Sequence, residues 1–224
     1  MKNNIILEGS KLNIKLEDKD CVYEIKNNSN ITFYQINEED LELNYTFNIF
    51  DNSNVNINIL DASENVRRNI IINLNGSNSS VVLNLSSISL KDNYYNIDIH
   101  HNNKNTKSES NLHGLALDNN KITFVNNGHI IKNSEKSILS QDNKIIIMGD
   151  NNSKIEPNLF IDEYDVSANH GAYIGNFYEE DIFYLMTRGL SKKDSYNLLI
   201  HGFLIGNFDY DKDALIKIID KYWR

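Results

Sequence analysis

The 224-residue sequence contains one cysteine and one proline. Cys21 alone can form neither an internal disulfide nor a thiolate cage, which fits a reducing compartment and leaves any metal to other ligands. Within its strand-like run, Asp20-Cys21-Val22, it is expected in the core. Positive charge is also short: 22 Lys and Arg stand against 31 Asp and Glu, a formal net charge of -9. Such a field repels phosphate backbones and anionic lipids, so neither nucleic acid nor a membrane is expected as a partner. The longest apolar runs, such as Ile145 to Met148, fall far short of the ~20 residues that span a bilayer, and no secretory apolar region opens the chain. A cytoplasmic protein is expected. Neither a P-loop, a dinucleotide fingerprint nor a Gly-x-Ser-x-Gly elbow occurs, so nothing points to a nucleotide on this chain or to a serine nucleophile.

What is abundant is asparagine and isoleucine, arranged with period two from about residue 4 to residue 169. Val55, Ile57 and Ile59 fall on one face and Asn54, Asn56 and Asn58 on the other; Ile70, Ile72 and Leu74, then Val81, Leu83 and Leu85, then Ile97 and Ile99 repeat the pattern. Many short strands without intervening helices predict a sandwich, a barrel or a stacked β-helix. Asn-rich turns and one-sided aliphatic rungs favour the solenoid. Near residue 176 the period changes to about 3.6, predicting three short helices. The first ends at Arg188-Gly189, the second opens at a Ser191/Asp194 capping pair, and the third carries Leu215, Ile218, Ile219 and Tyr222 on one stripe. The expected organisation is a β-core over 1–175 and a helical domain over 176–224. Helices this short must pack on the β-body, on each other or on a partner.

Among six histidines, His100 and His101 are adjacent, so they point to opposite faces and read as surface turn residues. His113 and His129 are placed to approach one another across coils, and His201 reads as a packed helix residue. His170, in Ala168-Asn169-His170-Gly171-Ala172, has small neighbours that leave its imidazole accessible, so structural and ligand roles both stay open. Asp162, Glu163 and Asp165 are candidate carboxylates for glycoside chemistry, or simply a charged strand edge.

The stretch Asn169-His170-Gly171-Ala172-Tyr173-Ile174-Gly175, followed by Glu180-Asp181-Ile182-Phe183-Tyr184-Leu185-Met186-Thr187-Arg188-Gly189-Leu190-Ser191 and Leu198 to Phe203, resembles the C-terminal signature of the SufB/SufD family of iron-sulfur cluster assembly scaffolds. Upstream the resemblance runs through Thr106 to Ser110, Gly114, Asp118, Phe124, Gly128, Gln141, Asn143, Pro157 to Ile161 and Asp165-Val166. It implies a mainly β protein, a right-handed parallel β-helix followed by a small helical domain. It implies a non-catalytic scaffold that couples a SufC-like ABC ATPase to cluster formation at a β-helix interface shared with a SufB-like chain or a second copy. Phe183, Tyr184, Arg188, Gly189, Leu190, Ser191, Leu199 and Phe203 are the implied ATPase-binding residues; for Arg188, capping of the first helix is an equal reading. His170 inherits the family's histidine ligand, while the positions that carry cysteine and glutamate in SufB-like chains are Asp142 and Gly171 here. The chain is therefore similar to SufD, in a compact version without an N-terminal helical region. A transient iron-sulfur cluster on it would take its sulfur ligands from a partner. The rival readings are a carbohydrate-binding or carbohydrate-active β-helix and a purely structural paralogue that never touches iron.

Overall fold

A computed structural model describes residues 3–150, 152–209 and 211–223, so the outermost residues of both expected segments lie outside the described residues. Twelve strands precede three helices: β1 (Asn3–Leu7), β2 (Leu12–Lys15), β3 (Cys21–Ile25), β4 (Asn30–Asn37), β5 (Leu41–Ile49), β6 (Asn54–Leu74), β7 (Ser80–His101), β8 (Lys107–Leu117), β9 (Lys121–Ile130), β10 (Ile138–Met148), β11 (Lys154–Ile161), β12 (Ser167–Gly175), α1 (Glu179–Thr187), α2 (Lys192–Ile205) and α3 (Lys212–Tyr222). Every strand pairing is parallel. One ladder runs β1-β3-β5-β6-β7-β9-β11 and the other β2-β4-β6-β7-β8-β10-β12, with the long strands β6 and β7 bending through both. The result is the expected parallel β-solenoid, of about six turns, followed by three small helices.

Alternation decides which side chains enter the core. The predicted rungs Val55, Ile57, Ile59, Ile70, Ile72, Leu74, Val81, Leu83, Leu85, Ile97 and Ile99 are all buried in one cluster with Cys21. Aromatic rings fill the early coils, where Tyr23 stacks on Phe47 at 5.0 Å between centroids and Phe33 meets Phe47 edge-on at 5.2 Å. One ion pair is enclosed there too. Arg68 donates from Nε and Nη2 to the two oxygens of Asp61 at 2.7 and 2.6 Å, and both side chains are fully buried.

Asparagine earns its abundance at one corner of the solenoid. Asn28, Asn52, Asn78 and Asn105 adopt left-handed φ values of 60°, 55°, 56° and 56°, a conformation asparagine tolerates better than other side chains. The main-chain N–H of each donates to a carbonyl of the following coil, and so does that of Lys136, which occupies the fifth such corner at φ 60°. A buried Ser29, Ser53, Ser79, Thr106 or Ser137 follows each corner residue and satisfies polar groups that the turn would otherwise orphan.

The helices close against the outer face of the second ladder. Leu60, Ala62, Ile88, Leu115 and Ile146 point outward there and share an apolar cluster with Ile200, Leu204, Ile205, Phe208, Leu215 and Ile219. Carbonyls at the end of α2, which have no intrahelical donors, accept from outward side chains, Phe203 O from His113 Nδ1 at 2.7 Å and Leu204 O from Ser86, and just beyond the helix Asn207 O accepts from Asn84 Nδ2 at 3.1 Å. The predicted Ser191 cap is present, its Oγ accepting from Asp194 N at 3.1 Å, and Asp211 Oδ1 caps α3 by accepting from Ala214 N at 3.2 Å.

Candidate functional site

His170 lies on β12, which pairs on one side only, with β10. Register sets His170 beside Gln141, Ser110, Leu83, Ile57 and Phe33, an inward-facing column. With no further coil stacked on it among the described residues, this inward position is exposed. Asp142 and Gly171 pair with each other one residue along, on the opposite face. A β-carbon at Gly171 would make only ordinary contacts, 3.7 Å from Asp142 Oδ1.

Beneath His170 the core changes character. In place of aliphatic rungs stand Ser110, Asn126, Gln141 and Asn143, all buried. Asn126 Nδ2 donates to Ser110 Oγ at 3.0 Å and to Asn143 Oδ1 at 2.8 Å, Gln141 Nε2 donates to Asn126 O at 3.1 Å, and Asn143 Nδ2 donates to Gly171 O at 3.0 Å. Gln141 Oε1 accepts nothing, a buried orphan on the rung next to His170. The end of the solenoid is thus a polar mouth with one accessible imidazole. Apolar side chains flank it: Ile161 and Ile174, on inward positions of the last strands, are 37% and 42% exposed.

The other histidines separate. His101 is not a surface residue: β7 continues through it, so it turns inward, buried between Thr106 Oγ1 at 2.7 Å and Ser108 Oγ at 2.8 Å, and burial holds it down to about 4. His113 and His129 do not meet, because they occupy different ladders; His129 stacks on His100 at 4.4 Å. His113 stacks on Phe203 at 4.7 Å and lies 3.4 Å from Asp142, whose carboxylate the imidazole and Lys144 together hold down to about 2. His201 joins α2 to α3 through Asp220 at 2.8 Å. Glu163 and Asp165 lie in a turn rather than along a strand edge, and the Glu163 carboxylate accepts main-chain N–H groups of Asn133 and Tyr164.

On the helices, Phe183 and Tyr184 are 69% and 56% exposed, and Arg188 lies over the Tyr184 ring at 5.1 Å while capping α1. Gly189, at φ 95°, and Ser191 are exposed and Leu190 is half-buried. Leu199 and Phe203 are half-buried, Phe203 against the solenoid. Sequence reasoning missed three further exposed apolar side chains nearby, Tyr178, Met186 and Leu198. It also missed the polar mouth, although the break in the aliphatic pattern at Ser110, Asn126, Gln141 and Asn143 was there to be read.

Residues 14–203 match the family described as SUF system FeS cluster assembly, SufBD core domain. Three curated relatives carry the name iron-sulfur cluster assembly protein SufD. The Bacillus subtilis protein is 32% identical over 93 residues, 41% of this chain and 21% of the relative. The Escherichia coli protein is 26% identical over 141 residues, 62% and 33% respectively. The Plasmodium falciparum protein is 29% identical over 120 residues, 53% and 8%. The matched stretches span a third or less of these relatives' lengths. Most of the solenoid, α1 and most of α2 fall inside the family match, and the chain belongs to the SufBD core family of the SUF iron-sulfur cluster assembly system.

Proposed function

We propose that the chain is a SufD-like, non-catalytic scaffold subunit of SUF-type iron-sulfur cluster assembly, coupling a SufC-like ABC ATPase in the cytoplasm to cluster formation at the open end of the solenoid. The observation that carries this reading is His170: an exposed imidazole in an inward-facing column, above a buried polar network with an unused acceptor at Gln141. Iron accepts imidazole, and Cys21 is buried far back in the aliphatic core, so thiolates for a transient cluster would come from the partner across the interface. That partner is a SufB-like chain or a second copy. The unpaired edges of β11 and β12 offer it rows of main-chain donors and acceptors.

The ATPase contact is assigned to the outboard surface of α1 and the α1–α2 turn: Phe183, Tyr184, Arg188, Gly189, Leu190 and Ser191. Phe203 lies behind it, where α2 is bound to the second ladder, and with the half-buried Leu199 would pass a displacement of α1 to the β-strands. Removing the helices is a poor test, since it uncovers Leu60, Ala62, Ile88, Leu115 and Ile146. Point variants are cleaner. The full chain is co-expressed with the ATPase and the SufB-like chain of the same genome, and the complex is captured and its mass determined. Paired Phe183→Ser and Tyr184→Ala changes should release the ATPase without unfolding the chain. His170→Ala should leave the complex intact and lower the cluster it carries on reconstitution. If the full chain fails to bind the ATPase at micromolar concentration, the coupling role is wrong; if His170→Ala changes nothing, the chain supports its partner without touching iron.

A further inference from the structure

On the outer face of the first ladder, away from the polar mouth, three metal-binding side chains converge. Parallel pairing sets His100 of β7 directly beside His129 of β9, and Asp98 precedes His100 by two residues and so shares its face. The ring centroids of the two histidines are 4.4 Å apart at an interplanar angle of 13°. His129 Nε2 is 3.6 Å from Asp98 Oδ1. One donor atom from each of the three residues lies within 4.8 Å of the other two. We propose that Asp98, His100 and His129 bind a single divalent transition-metal ion. This inference does not depend on the role assigned to His170.

The surroundings orient the donors as a metal site requires. Asn127 Nδ2 donates to Asp98 Oδ1 at 3.0 Å and Asn96 Nδ2 to Asp98 Oδ2 at 2.9 Å, fixing the carboxylate while leaving further lone pairs free. Phe160, the next rung of the same row, stacks on His129 at 4.7 Å and covers that side. The side chains of His129 and Asp98 are 28% and 24% exposed, so an ion has access from solvent. Bonds of about 2.0–2.1 Å at a tetrahedral ion need donors roughly 3.3 Å apart, which side-chain rotation on a fixed backbone supplies. Two imidazoles with one carboxylate select a first-row ion such as Zn2+, Fe2+ or Co2+ over Mg2+ or Ca2+, which prefer all-oxygen shells. Three protein ligands leave the remaining positions to water or to an exogenous ligand.

The test uses the full chain, stripped with a chelator and titrated with Co2+, read by its ligand-field absorption, and with Zn2+ against a chromophoric chelator. One ion per chain should bind at micromolar or lower concentration. His100→Gln, His129→Gln and Asp98→Asn should each weaken binding by about tenfold or more, Asn127→Ala by about tenfold through loss of carboxylate orientation. His170→Ala should leave affinity unchanged. In the unaltered protein, bound Zn2+ should shield His100 and His129, and not His170, from carbethoxylation mapped by mass spectrometry, a readout that does not require any variant to fold. Absence of binding below millimolar Zn2+ and Co2+, affinity unaltered in His100→Gln and His129→Gln, or unshielded imidazoles would each overturn the proposal.

Discussion

Asp61→Ala strands a guanidinium inside the solenoid. Arg68 has no exposed side-chain surface, its Nη1 already lacks an acceptor, and Nε and Nη2 both depend on Asp61. Burial alone would push Arg68 down, but the Asp61 charge and its hydrogen bonds outweigh burial and hold it protonated. Its other neighbour of note is the Tyr45 ring, 5.9 Å away, which cannot replace a carboxylate. Removing one member of a buried pair costs about 3–5 kcal/mol, a large part of the roughly 5–15 kcal/mol that holds a domain folded. Arg68→Met should cost a similar amount, because Asp61 then keeps only the Tyr95 hydroxyl, which donates at 3.2 Å. The double variant Asp61→Leu with Arg68→Met removes both charges and should recover most of the loss, giving a coupling of several kcal/mol in the cycle. Urea unfolding at neutral pH, followed by near-ultraviolet circular dichroism, measures all four proteins. Were Asp61→Ala to fall within about 1 kcal/mol of the parent, or the double variant to be as weak as the two single losses added, the account of the interior charge would be refuted.

Three further outcomes follow from the same structure. Lys136 holds a left-handed corner that asparagine fills in four other coils, so Lys136→Asn should raise stability by about 0.5–1 kcal/mol, visible as a higher unfolding midpoint. Gly76 and Gly171 should respond oppositely to alanine. A β-carbon at Gly76 would lie 2.0 Å from the Asp51 nitrogen and cost more than about 3 kcal/mol, whereas at Gly171 its contacts are ordinary and a gain of about 0.4–1 kcal/mol is expected by the same unfolding assay. Asp142, held down to about 2 by His113 and Lys144, binds its proton less readily folded than unfolded. Its contribution is therefore present above about pH 4 and lost as pH falls towards 2; with a side chain 36% exposed it amounts to less than about 1 kcal/mol, and Asp142→Asn should flatten the acid limb of the stability profile by that much.

The inward rungs were legible because alternation in a strand maps directly onto burial. Parallel pairing was not, since Val55-x-Ile57-x-Ile59 reads the same in a sandwich or a barrel. The decisive local signal was the corner, Asn28-Ser29, Asn52-Ser53, Asn78-Ser79 and Asn105-Thr106, a repeat whose uneven interval conceals it. The same unevenness hid the pairing of His100 with His129, because the partner of a residue in a solenoid depends on the length of the coil between them. His101 was misread for a simpler reason: the strand runs on to include it, and an inward position at a strand end resembles a turn. The helices were located by period and caps, but which side chains remained outside, Leu198 among them, depended on the outward rungs of strands far away in sequence.

The asparagine corner also says where the chain can change length. From Asn28 to Asn52 the interval is 24 residues and from Asn52 to Asn78 it is 26, and the later intervals are longer, yet the corner geometry is conserved throughout. Additional residues have entered between β8 and β9, where Ser89 and Asp92 pair with Ala116 and Lys121, and ahead of the corner residue itself, since Lys136 stands six residues beyond the strand end at Ile130 whereas Asn28 and Asn52 stand three beyond Ile25 and Ile49. Insertions and loop grafts should be tolerated ahead of the corner residue and rejected after it, where in all five coils the next strand starts two residues on and one extra residue would put the polar group out of step with its neighbours.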